Sequence, residues 1–114
     1  MSERSPGLLL EDILDSIEKI QSYTAGFSFD DFMNDSKTVD AVIRNFEIIG
    51  EAAGRIPDHV KTDYPAVDWH RIRGFRNRIV HHYFGIDYEI VWEIIQNNLD
   101  ELKDQIKQVF NDLH

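Results

Sequence analysis

The sequence predicts an all-α fold, an up-down four-helix bundle with short extra helical turns. Three observations carry that expectation. Apolar residues recur at helical spacing in four separate stretches, no run alternates apolar and polar with period two, and the connectors are short and hold the Gly and Pro residues. The 114 residues are expected to form one domain over 1–114, enough for a single core and too few for two.

Each element follows from local chemistry. Ser5 followed by Pro6 is a helix opening, a hydroxyl cap and then a proline where no amide hydrogen is needed. Leu10, Ile13, Leu14, Ile17 and Ile20 then mark a first helix over about 7–24, ended by Gly26. The acidic-aromatic segment from Phe27 to Met33 reads as a turn or short helix against the core. Asp35 or Ser36 caps a second long helix with Val39, Val42, Ile43, Phe46, Ile49 and Ala53 as its buried stripe. Gly50 lies on that same face, and the helix stability it costs implies close approach of a neighbouring helix. Pro57 and Pro65 bracket a connector with a helical turn around 58–63. Asp68 caps a third long helix that is expected to run to about Tyr83, where Gly85 stops it and Asp87 caps the last one. The last helix carries Val91, Ile94, Ile95, Leu99 or Leu102, Ile106, Phe110 and Leu113.

Composition narrows the function. No cysteine is present, which excludes disulfides, zinc-finger sites and thiol catalysis and suits a reducing cytoplasm. No apolar run is long enough to span a bilayer, and the opening Met-Ser-Glu-Arg-Ser-Pro does not read as a secretory signal. The formal net charge of −9 argues against a general nucleic-acid binder. The distribution qualifies that. Between Asp68 and Asp87 there is no acidic residue, while Arg71, Arg73, Arg76 and Arg78 fall there together with His70, His81 and His82. Two readings fit this island: a basic face that docks on an acidic neighbour, or a confined site for an anionic substrate.

On a continuous third helix, Trp69, Ile72, Phe75, Ile79, Val80 and Tyr83 fall within one apolar arc, and Arg76 lies inside it. An arginine there is either paired with a core carboxylate such as Glu47 or Glu51, or it faces a cleft where it meets phosphate. His70, Asn77, His81 and Gly74 occupy a second arc, where Asn77 can orient the His81 ring and Gly74 leaves room for a helix or ligand. The adjacent His81 and His82 point apart on a helix and are not expected to form a metal site. Arg76 and His81, five residues apart, diverge by roughly 140° on one helix. A two-fold dimer would bring each arginine to the other chain's histidine.

The string Gly74-Phe75-Arg76-Asn77-Arg78-Ile79-Val80-His81-His82-Tyr83-Phe84-Gly85-Ile86-Asp87 resembles the R-x4-H-x-Y signature of HepT-like proteins in the HEPN superfamily. Ile48-Ile49-Gly50-Glu51-Ala52-Ala53 and Tyr64-Pro65 before Asp68-Trp69 resemble the same proteins. The resemblance implies a HEPN-like helical fold and a dimeric, metal-independent ribonuclease without a cofactor. It implies the toxin half of a toxin–antitoxin pair, neutralised by a nucleotidyltransferase antitoxin. By position, Arg76 and His81 would be the catalytic pair, Asn77 would support them, and Tyr83 would be the tyrosine that the antitoxin modifies with AMP. Arg73, Arg78 and His82 are candidate contacts to RNA. Spacing alone favours reading Tyr83 as a core tyrosine, since it falls on the apolar arc. The alternative from another class is a non-catalytic helical module that binds a nucleotide or a partner protein, a reading the acidic charge favours.

Overall fold

The computed structural model describes residues 4–75, 80–81 and 85–113. Helix α1 spans Pro6–Thr24, α2 Phe29–Met33, α3 Ser36–Arg55, α4 Asp58–Asp63 and α5 Trp69–Arg73; α6 spans Tyr88–Asn97 and α7 Leu99–Leu113. Between α5 and α6, β1 (Val80–His81) pairs antiparallel with β2 (Gly85–Ile86). The architecture is all-α, a helical bundle with one short two-stranded ribbon among the described residues. No helix among the described residues is long and apolar enough to cross a membrane.

Local caps set the helix starts. The Ser5 hydroxyl accepts from the Leu8 amide with Pro6 in the first turn, Asp35 accepts from Thr38, and Asp68 from Arg71. Asp87 accepts from Ile90, and Ser28 with Asp31 forms a reciprocal capping box on α2. Each satisfies an amide that the first helical turn leaves without a partner, which stabilises a helix by about 1 kcal/mol.

The core is one cluster. Leu10, Ile13, Ile17 and Ile20 of α1 meet Val42, Phe46, Ile49 and Ala53 of α3, and Ile94, Leu99 and Ile106 close the other side. Burying each large aliphatic or aromatic side chain contributes roughly 1.5–3 kcal/mol. Helix α1 packs along α3 and against α7. The Gln21 amide reinforces the α1–α7 contact by donating to Asp100 at 2.7 Å. Asn45, the buried polar residue of α3, satisfies its amide by donating to Ala41 O one turn back, at 2.8 Å.

Two expected helices are cut short. The third was expected to run to about Tyr83, but α5 ends at Arg73, and Val80 and His81 are extended and paired with Ile86 and Gly85. Gly74 takes the C-cap, its amide donating to His70 O and Ile72 O. The β-branched Val80 suits a strand, and Gly85 at φ 73° supplies a left-handed residue at the ribbon. The last helix breaks at Asn98, and Val109 rather than Phe110 becomes fully buried near its end, with Leu113 exposed.

The neighbour that Gly50 leaves room for is α5. A β-carbon built on Gly50 would stand 3.4 Å from Arg73 O and 3.5 Å from Ile72 O, backbone atoms with no freedom to withdraw. Gly50→Ala is therefore expected to be near neutral in urea unfolding, the tight contact offsetting a helix-propensity gain of about 1 kcal/mol. Gly50→Leu should lose about 1–3 kcal/mol by pushing α5 off α3. Gly85→Ala has open space around it. Its cost, about 1–2 kcal/mol in the same assay, should come from the left-handed backbone alone.

Candidate active site

The acid-free stretch is held at both ends. At its start, α5 buries Trp69, Ile72 and Phe75, and the Trp69 indole donates to Tyr64 O at 3.2 Å. Phe75 meets Phe46 of α3 edge-on, with ring centroids 5.5 Å apart, a geometry that adds to simple area burial. With those three residues turned inward, His70, Arg71 and Arg73 are left on the exposed side. At its far end, the Asp87 cap fixes the start of α6.

Arg73 lies along α3. A β-carbon on Gly54 would sit 3.4 Å from its Nε and 3.5 Å from its Cγ and Cδ, so the side chain runs over the bare backbone at Gly54. The groove there has a volume of about 480 Å³, and Arg44, Glu47, Glu51 and Arg55 line it with Arg73. Glu51 accepts from Arg55 at 3.1 Å and Glu47 pairs with Arg44 at 3.6 Å. Both pairs are exposed and contribute little to stability, but they leave Arg73 as a cation with no carboxylate partner among the described residues. Glu47 and Glu51 are therefore not core carboxylates, contrary to one expectation for the partner of Arg76.

Gly74 also departs from expectation. The nearest atoms to a β-carbon there are His70 O and Arg71 O of its own helix, at 3.3 and 3.6 Å, so its room serves the turn at the end of α5.

On the other side of the stretch, the pairing sets His81 opposite Gly85 and Val80 opposite Ile86. A second groove, of about 590 Å³, begins at Gly85 and Ile86 and is walled by Phe29, Met33, Tyr88 and Glu89. Phe29, Ile86 and Tyr88 are half-buried and Met33 is 40% exposed. Sequence reasoning assigned Phe27 to Met33 only to packing. The clue it passed over was Met33, an apolar residue at the end of a helix whose Phe32 already fills the core.

Of the residues singled out from the sequence, Arg73 lies on the α3 groove and His81 lies in β1. Arg76, Asn77, Arg78, His82 and Tyr83 lie outside the described residues. Because 80–81 is extended, the 140° divergence computed for one continuous helix does not apply to Arg76 and His81. Among the described residues, no three His, Asp or Glu side chains gather into a metal-holding group.

Comparison with known proteins places this arrangement in a family. A family model described as ribonuclease HepT-like matches residues 13–109. A Methanocaldococcus jannaschii protein provisionally named an RNase is 37% identical over 113 residues, covering 99% of this chain and 93% of that one. The probable ribonuclease HepT of Thermococcus cleftensis is 37% identical over 107 residues, covering 94% of this chain and 97% of its own. A provisionally named RNase of Caldanaerobacter subterraneus subsp. tengcongensis is 37% identical over 106 residues, 93% of this chain and 95% of that one. No solved structure matches. The match spans the helical core and both anchors of the acid-free stretch, and the chain belongs to the HepT-like ribonuclease family.

Proposed function

We propose that the chain is a metal-independent endoribonuclease acting as the toxin of a toxin–antitoxin pair, with Arg76 and His81 as its catalytic pair. The observation that carries this reading is the Arg76-x4-His81-x-Tyr83 motif, set in an acid-free stretch of a chain whose relatives bear ribonuclease names. The residue types suit cleavage through the RNA's own 2′-hydroxyl. A histidine takes the 2′-O–H proton, the 2′-oxygen bonds to phosphorus, and the P–O5′ bond breaks. An acid then returns a proton to the departing 5′-oxygen, leaving a cyclic phosphate and a 5′-hydroxyl. Histidine titrates near neutrality and serves in either role. Arg76 supplies a fixed guanidinium fork for the charge that develops on the phosphoryl oxygens.

Asn77 supports His81, and Arg73, Arg78 and His82 contact the RNA backbone. The exposed, carboxylate-free Arg73 supports that assignment for its own position. Tyr83 is the site at which a nucleotidyltransferase antitoxin adds AMP, placing bulk and negative charge two residues from His81 and repelling the substrate. The active form is a homodimer in which each site combines Arg76 of one chain with His81 of the other. The net charge of −9 favours a second reading, a helical module that binds a nucleotide or partner without cleaving RNA.

Cleavage assays in EDTA separate the two. The purified protein should cut RNA with chelator present and leave 5′-hydroxyl ends, while Arg76→Ala and His81→Ala should each lose about 10²-fold or more in rate. Full activity in both variants would remove the assignment of the pair, and an inactive parent would favour the binding module. Mixing the two variants tests the shared site. If the pair is completed across a two-fold axis, random reassociation should restore about a quarter of the parental activity, since half the dimers then carry one intact site. No recovery would assign both residues to one chain.

A further inference from the structure

The groove walled by Phe29, Met33, Ile86 and Tyr88 is not used by the chemistry above. Gly85, the residue paired with His81, is part of its wall, so that part of the groove lies one strand spacing from the His81 backbone, roughly 5 Å between Cα atoms. Its volume of about 590 Å³ falls within the range of small-ligand pockets. Phe29 and Tyr88 are half-buried and pack against the core. A β-carbon built on Gly85 would meet nothing within 4 Å. Among the described residues, the charged side chains on its wall are acidic, Asp87 and Glu89. Asp87 is committed to capping α6, while Glu89 is exposed.

This combination rejects a phosphate and accepts a flat, uncharged ring. Carboxylates repel phosphate, whereas aromatic faces stack nucleobases, the usual means by which proteins hold single-stranded RNA. We propose that this groove is a nucleobase subsite, holding a base of the RNA next to the bond that is cut, with Phe29 and Tyr88 as the stacking platform. The proposal rests on the reading of His81 as catalytic. Glu89 gives the subsite a preference. An ionised carboxylate only accepts hydrogen bonds, so it pairs with the amino groups of cytosine, adenine or guanine. Uracil offers two carbonyl oxygens around a single N–H, and the carboxylate opposes it. The subsite therefore favours amino-bearing bases over uracil.

Trp92 is a built-in reporter. Its ring lies 6.2 Å from that of Phe29 and 5.3 Å from that of Phe32. Titrating the full-length protein with cytidine, adenosine or uridine should change the Trp92 emission, with uridine the weakest ligand, and Trp92→Phe should abolish the response. Phe29→Leu keeps apolar bulk against Trp92 but removes the stacking face, and the same holds for Tyr88→Leu at its own position. Each should weaken cytidine binding about tenfold and raise KM for RNA while kcat changes little. Glu89→Gln should narrow the gap between cytidine and uridine.

No nucleoside response together with an unchanged KM in Phe29→Leu and Tyr88→Leu would overturn the subsite, whatever His81→Ala does. So would an altered sedimentation coefficient in the two leucine variants without loss of nucleoside binding, which would make the groove a contact between chains. Nucleoside binding that persists while His81→Ala still cleaves RNA would support the groove as a base site and remove the catalytic reading instead.

Discussion

The functional half of this molecule depends on one close contact, the approach of the α5 backbone to α3 at Gly50. Any side chain larger than a methyl group at that point would meet the carbonyls of Ile72 and Arg73. Because the approach is between backbones, it fixes the position of α5 with little dependence on rotamers. Phe75 then seats edge-on against Phe46, and Arg73 is laid over Gly54. The position of the first part of the acid-free stretch is thus set by two bare positions one turn apart on α3. The Asp87 cap decides where it returns. Between those fixed points, the ribbon pairing of His81 with Gly85 is a third restraint.

Much of this was legible in the sequence, and the part that was legible is the part governed by short-range chemistry. Ser5, Asp35, Asp68 and Asp87 cap the helices they were expected to cap, because a side-chain oxygen reaching an amide three residues on needs nothing from the rest of the fold. Gly50 announced a close neighbour because a glycine on a buried helix stripe otherwise only weakens the helix. The HepT-like signature was legible for a different reason: its residues and spacing are matched as a string, whatever backbone carries them.

The extent of the third helix was not legible. Arg76-Asn77-Arg78-Ile79-Val80 is compatible with helix or strand by local preference, and the apolar phase that ran through Trp69, Ile72 and Phe75 extrapolated smoothly to Val80. The cap at Gly74 ends α5, and 80–81 is paired with 85–86; pairing between segments leaves no periodic trace in so short a ribbon. The break at Asn98 has the same character. An unbroken stripe predicted Phe110 as core, whereas the restarted helix buries Val109. The error had a consequence for the site. Divergence of Arg76 and His81 by helical phase was the geometric reason for expecting two chains at one site, and extended backbone at His81 removes it. The family resemblance still implies a dimer, and mixing the two variants decides whether its chains share a site.

The proposed reading gives the two grooves complementary tasks. With −9 overall, the surface opposes a polyanion wherever it approaches within about a Debye length, roughly 8 Å at physiological salt. The stretch between Asp68 and Asp87 is basic and free of acids, and the neighbouring acids Glu47 and Glu51 are each matched by an arginine of their own helix. On the proposed reading, Arg73 would face phosphate on the α3 side, and the aromatic wall of Phe29 and Tyr88 would face a base on the α2 side. Stacking is not screened by salt and does not require a basic surface. An acidic protein that must hold RNA briefly therefore gains more from one aromatic platform beside the scissile bond than from further lysines. The repulsion elsewhere on the surface keeps that hold local.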